Sequence, residues 1–289
     1  MTRLRRRTLC RGIATSMLAV GCSARSHGTA KSGDRRVVSQ TVLSDEVLWA
    51  LGDRARAQVV AISALADDAR YSAVAGAWPE AVERAPLTSE SLLSLTPDLV
   101  IVADFTAAET RRLITDAGIE TVTLSGFDGF DDYRRNAARI AEAVRLPEAG
   151  RELVARFDAR LAEVSPKVTQ RPLVLSFSEG NVAGAATSFD DIARAAGFAN
   201  LAADRGETGH RRVSLEQIVA WDPEYLVVPA GPGDAATIVA DLAARPGLSA
   251  TRAARHGHIV AIASASLYAS GEGMLDAVAA LAAHHPEAA

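Results

Sequence analysis

Two glutamates, Glu90 and Glu216, stand at the same place in two copies of one sequence pattern. Each lies two residues after a Thr or Ser, and each copy continues through a Pro into an apolar run, over residues 88–102 and 214–228. A carboxylate in the first turn of a helix either complements the positive N-terminus of that helix or offers an anion to a basic partner. The duplication therefore predicts one such carboxylate in each half of the protein.

Side chains that could bind an anion precede both glutamates at equal distance. Arg84 lies six residues before Glu90, and His210 lies six residues before Glu216, with Arg211 next to it. A guanidinium pairs with a carboxylate through two parallel hydrogen bonds. Arginines at these positions suit carboxylates, and the alternative is a solvated loop.

The two copies flank one long amphipathic segment, residues 146–168. Its apolar residues recur at helical spacing with charged residues between them, which predicts a single helix that joins two similar halves. These apolar residues are Leu153, Val154, Phe157, Leu161 and Val164. Each copy of the repeat is typical of a capped helix that ends before a Pro and leads into a buried strand.

Strand-like and helix-like segments alternate through the rest of both halves. Residues 120–124 are predicted to form a strand, residues 235–244 are predicted to form a helix, and Ser44 is predicted to cap the first helix. Such alternation indicates an open parallel sheet with helices on its faces.

The expected fold class is therefore α/β, with two Rossmann-like lobes joined by one long backbone helix. We place the N-terminal lobe at residues 36–144, the linking helix at 145–168 and the C-terminal lobe at 169–289. Ligands of open α/β sheets bind beyond the carboxyl ends of the strands, which predicts a site in the cleft between the lobes.

Residues 1–21 have the pattern of an export signal, with five arginines ahead of a short apolar run. The run is shorter than the ~20 residues of a membrane-spanning helix. Residues 18–22 resemble a bacterial lipoprotein box, which predicts lipidation at Cys22 and a flexible tether over residues 22–35, and a simply cleaved signal is the alternative. Arg6 and Arg7 are also similar to a twin-arginine signal, so both the Sec and the twin-arginine routes stay open.

The composition restricts the partners of the exported protein. Removal of the signal and its five arginines changes the formal net charge from −4 to −9, which argues against nucleic acid as a ligand. Cys10 lies in the signal and Cys22 would carry lipid, so the folded part has no cysteine for a disulfide. We expect a monomer.

Residues 36–286 resemble the helical-backbone class, or class III, of periplasmic substrate-binding proteins of ABC importers. Members of that class capture vitamin B12, haem and ferric siderophores. The resemblance is carried by residues 37–39, Glu90 with residues 93–100, residues 184–200, and residues 214–224.

The resemblance implies roles for particular residues. Glu90 and Glu216 match the lobe-surface glutamates that pair with arginines of the membrane permease, whose ATPase subunits drive import. Tyr71 matches a tyrosine of haem-binding relatives, although Ser72 stands where they have Pro. The implied ligand-binding residues are Tyr71, Arg84, Phe105, His210, Arg211 and Tyr268. The resemblance implies no resident cofactor and a transported metal chelate, with a ferric siderophore or haem favoured over cobalamin.

Other classes of function stay open at this point. For an enzyme, no Gly-x-Gly-x-x-Gly or P-loop follows a predicted strand, no Ser/His/Asp set is indicated by spacing, and residues 180–184 are only a turn-rich loop. We therefore expect no catalytic activity. A receptor for bare zinc or manganese draws on several His and carboxylate ligands, and His210 is the one well-placed histidine of six. A ligand-sensing lipoprotein that serves a signalling partner is the third alternative.

Overall fold

The computed structural model describes residues 35–84 and 88–287. The predicted signal peptide, Cys22 and the predicted tether up to residue 34 lie outside these residues. In the part of the chain that is described, no helix is long and apolar enough to cross a membrane.

The N-terminal half forms a parallel five-stranded sheet with the strand order β3-β2-β1-β4-β5. Its strands are β1 Val37–Ser39, β2 Val59–Ile62, β3 Glu83–Arg84, β4 Leu99–Ala103 and β5 Glu120–Leu124. The helices that accompany it are α1 Val42–Ala50, α2 Asp53–Arg56, α3 Ser89–Ser94, α4 Ala108–Asp116 and α5 Phe130–Ala143. All five residues of β4 are buried, as expected for the centre of a sheet with both faces covered.

The C-terminal half forms a parallel four-stranded sheet, in the order β11-β10-β6-β8, and a separate antiparallel pair, β7 with β9. The strands are β6 Leu173–Ser176, β7 Asn181–Ala183, β8 Ala199–Asn200, β9 His210–Arg212, β10 Tyr225–Ala230 and β11 Ile259–Ala263. The helices are α7 Ser188–Ala195, α8 Leu201–Asp204, α9 Leu215–Trp221, α10 Ala235–Ala244, α11 Arg252–Arg255, α12 Ser264–Leu267 and α13 Gly273–Ala282, with a 3₁₀ turn at Leu248–Ala250. The predicted α/β fold with helix-flanked sheets is confirmed.

One long helix, α6 at Pro147–Val164, connects the two sheets. It begins with a Pro in its first turn, where a missing backbone N–H costs nothing. Leu153 and Phe157 are buried, and the Phe157 ring lies 4.5 Å from the ring of Tyr133 and 5.7 Å from that of Phe130, measured between centroids. Apolar residues of both sheets join one continuous cluster through this helix. The lobes are thus packed on a shared core.

This shared core predicts a stiff receptor. A helix whose apolar face is buried between both halves resists the hinge closure that flexible interlobe crossings allow. We expect the backbones of the free and ligand-bound forms to superpose within about 1 Å. Small-angle X-ray scattering with and without ligand measures this, and a marked compaction on ligand addition would contradict it.

The internal repeat is present in the structure as two equivalent turns. Thr96 and Asp222, each the residue before a Pro, have φ values of 43° and 48°, in the left-handed region that non-glycine residues rarely adopt. In both copies a helix ends at this turn and a central strand follows, β4 in one sheet and β10 in the other. The Ser214 hydroxyl caps α9 by accepting a bond of 3.2 Å from the Gln217 amide.

Two local expectations are wrong. Helix α1 is capped by Thr41 rather than by Ser44. Ser44 is the third helical residue: its amide donates to the Thr41 hydroxyl, and its own hydroxyl accepts from the Thr41 amide, which completes a capping box. Residues 180–184 are more than a loop, since Asn181–Ala183 pairs with His210–Arg212. The partner strands are three residues long and distant in sequence, so neither carries a recognisable alternation.

Candidate functional site

A cavity of about 620 Å³ lies between the two halves of the protein. Tyr71 reaches it from the N-terminal half, and the other lining residues follow α6 in the chain. Its apolar wall consists of Phe177, Val228, Pro229, Ile238 and Leu242. The volume falls within the about 300–1,000 Å³ that is usual for small-molecule sites.

The strand ends of the C-terminal sheet build this cavity. Phe177 and Ser178 follow β6, Pro229 lies near the end of β10, and Ser264 follows β11. The hydroxyls of Ser178 and Tyr268 lie 2.8 Å apart, so the segments after β6 and β11 are joined across the wall. The cavity therefore occupies the position that open α/β sheets use for ligands.

The polar lining of the cavity is mixed in charge. Arg245, which directly follows α10, contributes a guanidinium, and Glu179 and Asp241 contribute carboxylates. No signal in the sequence singled out Arg245, because it has no counterpart in the repeat and follows an ordinary amphipathic helix. It is the cation that can meet an anionic ligand in this cavity.

A smaller cavity of about 180 Å³ adjoins the first and shares Tyr268 with it. His210 on β9 and Phe127 line it. Phe105, whose side chain is 76% exposed, packs on Phe127 with ring centroids 5.4 Å apart. The structure thus brings four predicted site residues, Tyr71, Phe105, His210 and Tyr268, to the two adjoining cavities or their rim.

The two remaining predicted ligand residues are placed differently. Neither Arg84 nor Arg211 lines these cavities. Arg211 points toward Glu207, with 3.9 Å between the Nε and the carboxylate. Arg84 donates hydrogen bonds within its own lobe, to Asp67 and to backbone carbonyls. The structure therefore does not bring these two predicted ligand residues to either cavity.

The segment that carries Tyr71 is held by local contacts. The Tyr71 amide donates to the Asp68 carbonyl at 2.9 Å, and the Arg70 guanidinium lies 5.4 Å from the Tyr71 ring centroid. Arg70 also pairs with the Asp68 carboxylate, which lowers the pKa of Asp68 to about 2. The segment is therefore held by contacts among its own residues.

Two buried carboxylic acids lie behind this segment on α1. The Asp45 carboxylate accepts a bond of 2.5 Å from the Ser63 hydroxyl, and burial raises its pKa to about 6. Glu46 accepts from the Ala73 amide at 2.9 Å, and burial raises its pKa to about 7. Glu46 also abuts the loop after Tyr268, since a Cβ placed on Gly271 would lie 2.4 Å from its Oε2. Glu46 thus contacts both loops that carry cleft tyrosines.

Replacing Glu46 by Gln is expected to stabilise the protein above neutral pH. The folded state binds the Glu46 proton more tightly than the unfolded chain, so this stabilisation is full below about pH 4.5 and is lost as the pH rises through about 7. Gln stays neutral and can still accept from the Ala73 amide. We expect its free energy of unfolding to exceed that of the wild type by about 1–3 kcal/mol at pH 8, with little difference at pH 5.

Urea unfolding at the two pH values measures this difference. Glu152→Gln is the matched control, because Glu152 is exposed on α6, and it should change stability little at either pH. A Glu46→Gln variant that is less stable than the wild type at pH 8 would contradict the assignment.

Glu90 and Glu216 occupy equivalent, exposed positions outside both cavities. Each is the second residue of its helix, α3 or α9, ahead of a central strand. The Glu216 backbone amide and the Ser214 side chain lower the pKa of Glu216, so it is ionised at neutral pH. In the described ranges, no group of three or more His, Cys, Asp or Glu side chains could hold a metal ion.

Two helix-flanked parallel sheets, a connecting helix and a cavity between them define a two-lobed solute-binding protein. Residues 37–265 match the family model described as periplasmic binding protein, and the chain belongs to that family. The predicted family is thereby confirmed, as is the expectation that the protein is not an enzyme. Membership implies a periplasmic or otherwise exported location.

Solved structures share the fold over most of the chain. The apo form of RhuT, a periplasmic heme-binding protein from Roseiflexus sp. RS-1, is 28% identical with a TM-score of 0.71, covering 87% of this chain and 97% of that one. A periplasmic heme-binding protein from Pseudomonas aeruginosa is 25% identical with a TM-score of 0.69, covering 86% and 91%.

A third structure shows similarity in fold alone. It belongs to the ABC-type Fe3+-hydroxamate transport system of Saccharomonospora viridis DSM 43017, at 21% identity and a TM-score of 0.66, covering 85% of this chain and 91% of that one. No curated protein matches this chain by sequence.

Proposed function

We propose that the protein is the substrate-binding lipoprotein of an ABC importer and that it captures an anionic iron chelate, haem or a ferric siderophore, between its lobes. The chelate is delivered to the membrane permease, and ATP hydrolysis by the ATPase subunits drives its import. The protein needs no resident cofactor for this role, because the metal arrives with the ligand.

The observation that carries this proposal is a phenol, an apolar wall and a guanidinium around one cavity. Tyr71 enters from one lobe, while Phe177 and Arg245 line the cavity from the other. A phenolate oxygen is a hard ligand suited to ferric iron, the apolar wall suits a flat organic chelate, and a guanidinium binds carboxylates bidentately. The two heme-binding structures at 25–28% identity support haem as one such ligand.

The remaining parts of the proposal concern anchoring and docking. Lipidation at Cys22, with residues 22–35 as a tether, keeps the receptor at the membrane. Glu90 and Glu216 then contact basic residues of the permease. Two equivalent anions on a monomeric receptor with an internal repeat fit a permease with two related halves.

Mass spectrometry of small molecules that co-purify with the protein from the native envelope tests the ligand class. The proposal predicts an iron chelate in about equimolar amount, with visible absorbance of a ferric complex. Recovery of cobalamin, or of bare zinc or manganese, would contradict the ligand class. Loss of a transcriptional response with unchanged uptake on gene deletion would instead favour the ligand-sensing alternative.

A further inference from the structure

Every N–H group of the Arg84 guanidinium has a partner inside the N-terminal lobe. The Nε and one Nη2 hydrogen go to the Asp67 carboxylate at 2.7 and 3.2 Å. The other Nη2 hydrogen goes to the Trp78 carbonyl at 3.1 Å, and Nη1 donates to the carbonyls of Pro79 and Val82 at 2.7 and 2.6 Å. An arginine has five such donors, so the donor capacity of Arg84 is filled.

These five bonds tie together both ends of one segment, residues 63–82, which we call the Tyr71 loop. Asp67 lies near its start, and the three carbonyls lie near its end. Asp67 also accepts from the Gly76 amide at 3.2 Å. The backbone also brings the two ends of the loop together, because Arg84 in β3 pairs with Ile62 at the end of β2.

The second half of the loop is also held by contacts with α1. Trp78 is buried and packs edge-on against Trp49 of α1, with ring centroids 5.2 Å apart. The Ala73 amide is held by Glu46. Tyr71 lies two residues before Ala73 and is the residue of the loop that lines the large cavity.

We propose that Arg84 is a positioning residue that holds the Tyr71 loop in its ligand-binding conformation and does not itself touch the ligand. This inference rests on the proposed function, in which Tyr71 contacts the ligand. A loop of this length loses about 1–2 kcal/mol of backbone entropy per residue when it is ordered. If Arg84 orders it during folding, the ligand does not have to order it during binding.

The ion pair between Arg84 and Asp67 persists at neutral pH and well below it. The hydrogen bond from Arg84 lowers the pKa of Asp67, so the carboxylate stays charged well below neutral pH. The charged groups near the pair are Glu80 and Asp45, and both favour the guanidinium cation. Ordering of the loop by Arg84 therefore does not depend on pH near neutrality.

Two readouts on Arg84→Gln separate positioning from direct contact. The first uses no ligand: acrylamide quenching of tryptophan fluorescence and near-ultraviolet circular dichroism report whether Trp78 stays packed on Trp49. We expect Arg84→Gln to expose Trp78 to quencher and to weaken the aromatic dichroism, with unchanged far-ultraviolet dichroism. Arg255→Ala, at an exposed arginine of the other lobe, is the control and should match the wild type.

The second readout compares haemin with haemin dimethyl ester, which lacks the ligand carboxylates. Arg84→Gln should weaken binding of both probes by the same factor, about 10-fold. Arg84→Lys keeps the charge but cannot make five bonds, so its effects should be intermediate, and it serves as the test if the Gln variant does not fold.

The outcomes are distinguishable. A loss of affinity that is confined to free haemin, with tryptophan signals unchanged, would show direct contact between Arg84 and the ligand carboxylates and would overturn the proposal. Wild-type behaviour of the Gln variant in both readouts would also overturn it. If the wild type binds neither probe, haem is excluded as the ligand, and the proposed ligand class then depends on ferric siderophores. The ligand-free tryptophan readout then still decides whether Arg84 orders the loop.

Discussion

Reversal of both surface glutamates, Glu90→Arg with Glu216→Arg, is expected to abolish importer-dependent uptake and to leave ligand affinity unchanged. Both carboxylates are exposed at equivalent helix positions and lie outside the cavities. Loss of one partner of a charge pair that is buried and hydrogen-bonded in the interface costs about 2–5 kcal/mol, and reversal adds repulsion. Uptake of a radiolabelled chelate by cells or proteoliposomes measures the effect.

The control variant must change the same charge at similar places. Glu109 is also the second residue of an exposed helix start, in α4, and Glu152 is exposed on α6. Glu109→Arg with Glu152→Arg should transport normally. Normal transport by the Glu90 and Glu216 double variant would refute the docking role.

Arg245→Ala is expected to weaken haemin binding by about 10- to 150-fold, the value of a charge-assisted hydrogen bond of about 1.5–3 kcal/mol. The effect should vanish with haemin dimethyl ester, because the ester offers no carboxylate. Arg255→Ala is again the matched control. The sequence-based expectation assigns a contact to Arg211 as well, whereas its position near Glu207 predicts a smaller loss for Arg211→Ala.

Isothermal titration or absorbance titration of the variants gives these affinities. If the Arg245→Ala variant binds haemin as tightly as the wild type, Arg245 does not contact the ligand.

The fold was predictable because its signals are local and repeated. The strand at Glu120–Leu124 and the helix at Ala235–Ala244 match their predicted bounds to the residue, since each is bounded by clear turn or helix-end signals. The linking helix was predicted from its apolar spacing and differs only at its ends, where Ser165 leaves the helical conformation. The repeat predicts equivalent helix positions for Glu90 and Glu216, which the structure has.

The site was less predictable because its chemistry depends on tertiary contacts. The contact between Ser178 and Tyr268 joins segments 90 residues apart. Arg245 reaches the cavity from the end of a helix that has no special sequence feature. The place of Arg84 in the repeat predicts a ligand contact, whereas the four residues that accept its five hydrogen bonds lie on a loop whose course no sequence pattern indicates.

Titration of the purified protein with haemin, a ferric siderophore and cyanocobalamin tests the central claim most directly. We expect stoichiometric, tight binding of an anionic iron chelate, and weaker binding in Arg245→Ala. Direct ligation of iron by Tyr71 would add a tyrosinate-to-iron absorbance band that Tyr71→Phe abolishes. Tight cobalamin binding that is insensitive to Arg245→Ala, with no binding of either iron chelate, would contradict the central claim.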